Sequence, residues 1–219
     1  MTKTSLIIPA WNAELTIEDC ILSVIKANLS PNEIIVVDDV STDNTVNIIE
    51  SLAKIYSNIK LLKLVKNSGP AAARDYGAKA SSGDVIFFTD SDTLILENTF
   101  VNCLNTIKEY KADAVSGIYH PDPINKGMAQ LYKALFFNYQ FIRYNKPFIY
   151  ETFNGQIAAI KKEVYINTGG YNKEILWGMD NENEEFGRRI IKEHLLLLDP
   201  TFQVKHNFPD FTKLTKTYF

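Results

Sequence analysis

The sequence predicts an α/β fold with a Rossmann-like, mostly parallel central sheet and helices on both faces. Short runs of β-branched and aliphatic residues alternate with longer segments whose apolar residues recur at helical spacing. One of these runs, Glu33–Val37, is apolar on both faces, as a parallel strand buried between two layers of helices requires. Three successive strand–helix repeats of this kind indicate a doubly wound sheet.

The elements of the first half follow in regular order. Pro9 ends the first strand, and Thr42 or Asp43 is suited to cap the second helix. Strands are predicted over Ser5–Ile8, Glu33–Val37, Lys60–Val65 and Val85–Phe88, and helices over Glu14–Ala27, from Thr42 onward, and over Ala71–Ala80.

The order is less regular after Asp92. A helix is predicted over Leu96–Tyr110 and a strand over Ala114–Ile118, and the segment Met128–Tyr150 then holds eight aromatic residues. Three interpretations of this segment stay open: a helix packed on the sheet, an apolar groove for a substrate, or a membrane-facing surface. No internal repeat or linker interrupts the sequence, so we expect one domain over residues 1–219, complete or part of a longer chain.

Composition narrows the class of protein. The formal net charge of -3 argues against bulk electrostatic attraction to nucleic acid or to anionic lipid, and it leaves a local basic patch open. Cys20 and Cys103 match no metal-binding spacing, so we expect reduced thiols in the core of a cytoplasmic protein. The N-terminal apolar run is too short for a signal peptide, and no stretch approaches the roughly 18 apolar residues of a membrane span.

Polar residues cluster where the predicted strands end, which is where open α/β sheets bind ligands. Carboxylates at this edge would repel one another unless a cation compensates them, and Asp-x-Asp spacing suits Mg²⁺ or Mn²⁺. Such a metal ion would bridge the phosphates of a nucleoside diphosphate. The segments at the strand ends are Pro9–Glu14, Asp38–Asp43, Asn67–Pro70 with Arg74, and Asp90–Asp92.

Each segment alone has a simpler explanation, such as turn and helix-cap chemistry for Asp38–Asp43. Their joint occurrence, each directly after a strand, carries the prediction of a nucleotide site. Competing motifs are absent from the sequence: it has no G-x-G-x-x-G after the first strand, no P-loop and no G-x-S-x-G.

With these segments together, the chain resembles family 2 glycosyltransferases of the GT-A fold from about Ser5 to His206. The resemblance implies that residues 1–95 bind the nucleotide sugar and residues 96–219 the acceptor. Its matching segments are Leu6–Glu14, Glu33–Thr45, Asn67–Arg74 with Gly77, and Gly83–Asp92.

The resemblance also implies roles for single residues. Asp92 would bind a divalent metal, with His206 as a further ligand, although a solvent-facing histidine is the commoner explanation of the latter. Gly155 and Trp177 would lie on the acceptor side. The residues implied to hold the donor are Pro9, Ala10, Asn12, Glu14, Asp39, Asn67, Arg74, Asp90, Ser91 and Asp92.

The sequence departs from the family at the catalytic base. The family pattern resembles E-D-x-E-L-G-x-R-L, and its Asp is the base. Alignment on Phe186 and Gly187 places Asn183 there, and alignment on Trp177 and Gly178 places Asn181. An amide is not a useful proton acceptor. A neighbouring carboxylate, Glu182 or Asp180, is therefore expected to serve, unless the protein is inactive or these acids only complement a helix dipole.

The activity implied by the resemblance is a single inverting displacement. Sugar would pass from a nucleotide-diphosphate sugar to a saccharide or lipid-linked acceptor, with peripheral contact at the inner face of the membrane. Two rivals remain open: a binding module without turnover, and a sugar nucleotidyltransferase. The segment Pro9–Glu14 counts against the second rival, because it has no Gly, Lys or Arg to hold a triphosphate.

Overall fold

The computed structural model describes residues 2–172 and 181–208. Within them, the strands are β1 Thr4–Ala10, β2 Glu33–Asp38, β3 Ile59–Lys63, β4 Val85–Thr89, β5 Thr93–Ile95, β6 Ala114–Tyr119, β7 Phe148–Ile149, β8 Ile157–Lys161 and β9 Leu196–His206. The helices are α1 Ile17–Lys26, α2 Thr45–Ile55, α3 Gly69–Ala80, α4 Thr99–Tyr110, α5 Met128–Ile142, α6 Lys162–Asn167 and α7 Asn181–Ile190.

The described strands form one mixed sheet in the order β3-β2-β1-β4-β8-β6-β9-β5, with β7 also paired to β9. Strands β1 to β4 are mutually parallel, β8 is antiparallel to both of its neighbours, and β9 is parallel to β6. Short strands β5 and β7 run antiparallel to β9. Most strands therefore share one direction, which confirms the predicted α/β class.

Helices cover both faces of this sheet. Leu6 and Ile8 of β1 point into one apolar cluster with residues of α1, α2 and α4. Ile7 points into the opposite cluster, which contains residues of α3, α6 and α7. This alternation follows from the two-residue period of a strand. Cys20 and Cys103 are free and buried in the first cluster, as predicted.

Three helices begin later than the sequence pattern predicts, and for α2, which begins at Thr45 rather than Thr42, the N-cap is Asn44. Helix α1 begins at Ile17 rather than Glu14, because the Glu14 side chain bonds the loop before α2 instead. Helix α4 begins at Thr99, since the Thr99 hydroxyl accepts the amide N–H of Leu96 and closes a turn first. For α1 and α4, a polar side chain satisfies backbone groups outside the helix.

The aromatic segment after Met128 is a helix packed on β6 and β9 of the sheet, as one of the three interpretations expected. It forms α5, but the buried positions of that helix are Gln130, Ala134 and Asn138 rather than its aromatic residues. Most aromatic side chains of α5 face outward. No helix within the described ranges is both long and apolar enough to cross a bilayer.

Candidate active site

The carboxyl ends of β1, β2 and β4 meet the start of α3 around a cavity of about 340 Å³. Parallel pairing in neighbouring strands brings these chain ends to one edge of the sheet. Most of the predicted donor residues line it. The lining residues are Pro9, Ala10, Trp11, Asp39, Asn67, Gly69, Pro70, Arg74, Asp90, Ser91, Asp92, Gln156 and Glu182.

Arg74 supplies the cation of this cavity. It lies in the second turn of α3, its side chain is only 3% exposed, and Nη2 lies 2.5 Å from Oδ1 of Asp90. Burial alone would lower the pKa of Arg74, but its interactions with Asp90, Tyr171 and Glu182 together outweigh burial and raise the pKa above its usual value. Arg74 Nε is buried with no hydrogen-bond partner among the described residues. A fixed positive charge with a spare donor therefore borders the cavity.

Asp90, Asp92 and His206 form a cluster in which one ligand atom of each lies within 4.8 Å of the others. The fold brings them together because β5 follows Asp92 directly and Thr93 pairs with His206 at the end of β9. His206 Nε2 lies 3.4 Å from Asp92 Oδ1. Burial raises the pKa of Asp92, and Asp90 adds to this while His206 opposes it.

The cluster fits a divalent cation. Two carboxylates and an imidazole are ligands that Mn²⁺ accepts, and a cation would relieve the repulsion between Asp90 and Asp92. His206 Nδ1 is buried and has no hydrogen-bond partner in the described part of the chain. No hydrogen bond to Nδ1 therefore rotates the ring so that Nε2 points away from Asp92. The ring is held between Tyr119 and Phe208, with ring centroids 4.7 and 4.6 Å away.

Asp39 links β2 to the start of α3. Its two carboxylate oxygens accept the amide N–H groups of Ser68 and Gly69, each at 2.8 Å. Burial raises the pKa of Asp39, while these two hydrogen bonds oppose that shift. Asn67 donates from Nδ2 to the Asp39 carbonyl oxygen at 3.0 Å. Asp39 therefore both lines the cavity and fixes the loop that carries Asn67.

Asn12 and Glu14 lie outside the cavity lining, unlike the other predicted donor residues. Asn12 Oδ1 accepts the amide N–H of Thr42 at 2.8 Å, and Glu14 Oε2 accepts that of Asn44 at 3.0 Å. These bonds tie the loop after β1 to the loop before α2. Direct contact of both side chains with the donor stays a prediction, since these oxygens already accept backbone N–H groups.

Glu182 and Asn183 have different surroundings at the start of α7. Glu182 is 4% exposed and lines the cavity, and its Oε2 atom is buried without a hydrogen-bond partner in the described ranges. Asn183 Oδ1 instead accepts the Gly155 amide N–H at 3.2 Å and the Tyr171 hydroxyl at 3.3 Å. The carboxylate thus faces the cavity while the amide is held by its neighbours.

Two predicted site residues, Asp180 and Trp177, lie outside the described residues. Gly155 is buried beneath the site, and a Cβ there would lie 2.5 Å from the Tyr171 hydroxyl and 2.9 Å from Asn183 Oδ1. A glycine is therefore required where this loop approaches Tyr171 and Asn183.

A second cavity of about 420 Å³ adjoins the first and shares Gln156 with it. Residues of α5 and the chain around Tyr150 form its walls. Its lining combines aromatic and amide side chains: Gly117, Ile118, Tyr119, Phe137, Gln140, Phe141, Tyr150, Thr152, Asn154, Gln156, Ile157, Asn183, Glu184 and Phe208.

Sequence reasoning assigned no single role to Trp11, Gly69, Pro70 or Gln156, which line the first cavity, although the first three lie within the predicted strand-end segments. Trp11 follows Pro9 and Ala10 at the end of β1, and Gln156 follows the Asn154–Gly155 loop before β8. Their position at strand ends is the signal that would have identified them.

The model of the family described as "Glycosyl transferase family 2" matches residues 5–169. The chain belongs to glycosyl transferase family 2. This family 2 domain is 35% identical over 118 residues to a poly(ribitol-phosphate) beta-glucosyltransferase of Bacillus spizizenii. That match covers 52% of this chain but only 19% of the relative, so the chain spans a minor part of the length of that protein.

Solved structures share the fold of the family 2 domain. The mannosyltransferase PcManGT from Pyrobaculum calidifontis, in complex with GDP-Man and Mn²⁺, superposes with a TM-score of 0.74 at 19% identity over 96% of this chain and 58% of that chain. S. aureus TarS 1-349 in complex with UDP-GlcNAc superposes with a TM-score of 0.72 at 20% identity over 96% of this chain and 60% of that chain. The predicted family and GT-A fold are confirmed.

Proposed function

We propose that this chain transfers a sugar from a nucleoside diphosphate sugar to an acceptor hydroxyl, with inversion and with a divalent cation. One observation carries the proposal. A single cavity combines the buried cation Arg74, the two carboxylates of the metal-ligating cluster, and Glu182, whose Oε2 atom has no hydrogen-bond partner among the described residues. In a displacement that releases a nucleoside diphosphate, the arginine and a bound metal would face the leaving diphosphate, and the carboxylate of Glu182 would accept the proton of the acceptor hydroxyl.

The donor is proposed to lie along the ends of β1, β2 and β4. Pro9 and Ala10 would border the nucleoside, with Asp39 and Asn67 at the same wall and Asp90 and Ser91 at the other. Arg74 Nε is a buried N–H group without a hydrogen-bond partner in the described chain, so it is suited to bind an oxygen of the nucleotide sugar. Complexes of the related folds with GDP-Man and with UDP-GlcNAc support the class of donor but leave the nucleotide open.

Asp92 and His206 are proposed as the protein ligands of the cation, with Asp90 beside them. Bound there, Mn²⁺ or Mg²⁺ would neutralise charge on the leaving diphosphate. The protein contributes by holding Asp92 directly before β5 and His206 at the paired end of β9, so that little ordering is left for the binding step.

Glu182 is proposed as the base that accepts the proton of the acceptor hydroxyl. Its free oxygen faces the donor cavity, whereas Asn183 is held by Gly155 and Tyr171 and acts as a positioning residue. Configuration inverts because one displacement occurs without a protein nucleophile. Asp180 is the second candidate for the base, from its proximity in sequence.

The acceptor is proposed to occupy the second cavity, which opens onto the first at Gln156. We propose a saccharide or lipid-linked saccharide of a cell-envelope glycan, a class to which the names of the curated relatives point. On this proposal residues 1–95 form the donor half and residues 96–219 the acceptor half. The protein would then work in the cytoplasm at the inner face of the membrane, an assignment that its two free thiols support.

The rival is a module that binds nucleotide sugar without turnover, which Asn183 favours. The experiment that separates the two measures release of nucleoside diphosphate from UDP-, GDP- and dTDP-sugars with Mn²⁺ present. Turnover that is lost in Glu182→Gln supports transfer. Donor binding without any turnover would favour the module.

A further inference from the structure

Helix α5 presents a continuous apolar stripe to its outside. Six side chains on this stripe are between 45% and 76% exposed, and they recur at spacings of three and four residues, which places them on one face of the helix. They are Leu131, Tyr132, Leu135, Phe136, Tyr139 and Ile142. We call them the outer stripe.

The side of the same helix that faces the domain is mixed. Phe137 and Phe141 line the second cavity, while the buried positions are Gln130, Ala134 and Asn138, and Asn138 donates from Nδ2 to the Tyr119 carbonyl oxygen at 2.9 Å. A helix on the surface of a water-soluble domain normally presents polar side chains to the solvent. The exposed apolar side chains of the outer stripe therefore indicate a surface that contacts something less polar than water.

The charged residues around α5 indicate what the outer stripe contacts. Residues 123–150 contain four cations and no carboxylate, although the whole chain has a formal net charge of -3. Lys126 is paired with Asp122. Lys133, Arg143 and Lys146 have no carboxylate partner among the residues that the structure describes. Unpaired cations beside exposed aromatic and aliphatic side chains are typical of a helix lying in the interface of an anionic bilayer.

The outer stripe also adjoins the second cavity. Phe137, Gln140 and Phe141 of α5 line that cavity, while their neighbours Phe136 and Tyr139 belong to the stripe. A bilayer in contact with α5 would therefore lie beside the mouth of the proposed acceptor cavity.

We propose that α5 lies on an anionic lipid bilayer through the outer stripe, so that an acceptor carried by a lipid reaches the second cavity from the membrane surface. The role in acceptor delivery rests on the function proposed above, whereas the binding to lipid does not. Tyr132 and Phe136 stack with ring centroids 6.2 Å apart and would enter the interface as a unit.

The test is flotation of the full 219-residue chain with vesicles of phosphatidylserine and phosphatidylcholine. A variant with Tyr132→Ser, Phe136→Ser and Tyr139→Ser should partition about tenfold less or weaker still, because three exposed apolar side chains leave the interface. The matched control carries Leu15→Ser, Ile55→Ser and Val65→Ser, which are on average more exposed than the three stripe residues but lie outside α5, and should float like the parent.

The second part of the flotation test changes the cations of α5 and of the segment after it. Lys133→Gln and Lys146→Gln should each reduce binding to anionic vesicles about fivefold and leave the weak binding to pure phosphatidylcholine unchanged. A parent that does not float, or a serine variant that floats like the parent, overturns the proposal. So does a self-association in sedimentation that the serine variant abolishes, since the stripe would then join two copies.

Titration of nucleotide sugars without vesicles separates this proposal from the proposed function. A serine variant that binds donor normally but no longer floats supports the membrane contact. Failure of every form to bind donor would refute the transferase function while leaving the flotation result intact.

Discussion

Arg74 and Asp90 form an ion pair in the wall of the donor cavity, with Nη2 of the arginine 2.5 Å from Oδ1 of the carboxylate. The arginine is almost fully buried, whereas a quarter of the Asp90 side chain is exposed. The pair joins α3 to the end of β4, and it holds Asp90 beside Asp92 and His206.

Arg74→Met should destabilise the protein by about 3 kcal/mol, because Asp90 loses its partner in a partly buried site. Chemical denaturation measures the change. The double variant Arg74→Met with Asp90→Asn should be less destabilised than the sum of the single variants, since no charge is left unpaired. Additive effects would contradict a direct coupling.

Asp92→Asn should stabilise the protein in the absence of metal. Burial raises the pKa of Asp92, so the folded state prefers the protonated form. Asp92 contributes its full stabilisation below its usual pKa, near 3.8, where it is protonated. This stabilisation is lost as the pH rises through the pKa that Asp92 has in the folded state. At neutral pH the variant should therefore show a higher Tm than the parent, and the difference should shrink as the pH falls toward about 4.

The same variant should lose the Mn²⁺ dependence of donor binding, because an amide is a poor ligand for this cation. Calorimetric titration of the nucleotide sugar with and without Mn²⁺ measures this dependence. Asp19→Asn is the matched control, since Asp19 is exposed on α1 and away from the site. An equal response to Mn²⁺ in parent and Asp92→Asn would place the metal elsewhere.

Glu182→Gln should lower turnover about a hundredfold or more while donor binding persists, because the amide cannot accept the proton of the acceptor hydroxyl. Steady-state kinetics and a parallel donor titration measure the two effects. Glu193→Gln, in an exposed position after α7, serves as the control. If Asp180→Asn abolished turnover instead and Glu182→Gln did not, Asp180 would be the base.

Asn183→Asp tests whether the amide at the family's base position has inactivated the protein. A carboxylate oxygen can still accept the bonds from Gly155 and Tyr171, so the variant should fold. With Glu182 as base, turnover should not rise above that of the parent. A large gain in turnover would mean that the natural chain is a binding module.

The sequence predicted what depends on local pattern. Buried strands such as Glu33–Asp38 follow from continuous apolar runs, and the position of Asp39 and Asp90 at one edge follows from parallel connectivity. The proximity of His206 to Asp92 came only from family resemblance, because the pairing of β5 with β9 joins segments more than a hundred residues apart.

Other features could not be read from the sequence for physical reasons. The hydrogen bonds of Asn12 and Glu14 to the amides of Thr42 and Asn44 depend on where the loop before α2 lies, which a local sequence pattern does not encode. The aromatic residues of α5 suggested a packed helix, yet the helix buries Gln130 and Asn138, because Asn138 has a carbonyl acceptor on Tyr119.

The most direct test of the central proposal is a calorimetric titration of UDP-, GDP- and dTDP-sugars, each with and without Mn²⁺. We predict that sugars of one nucleotide bind and that Mn²⁺ tightens their binding about tenfold or more. Binding that is indifferent to Mn²⁺, or no binding of any of these donors, would contradict a metal-dependent transferase site at Asp92 and His206.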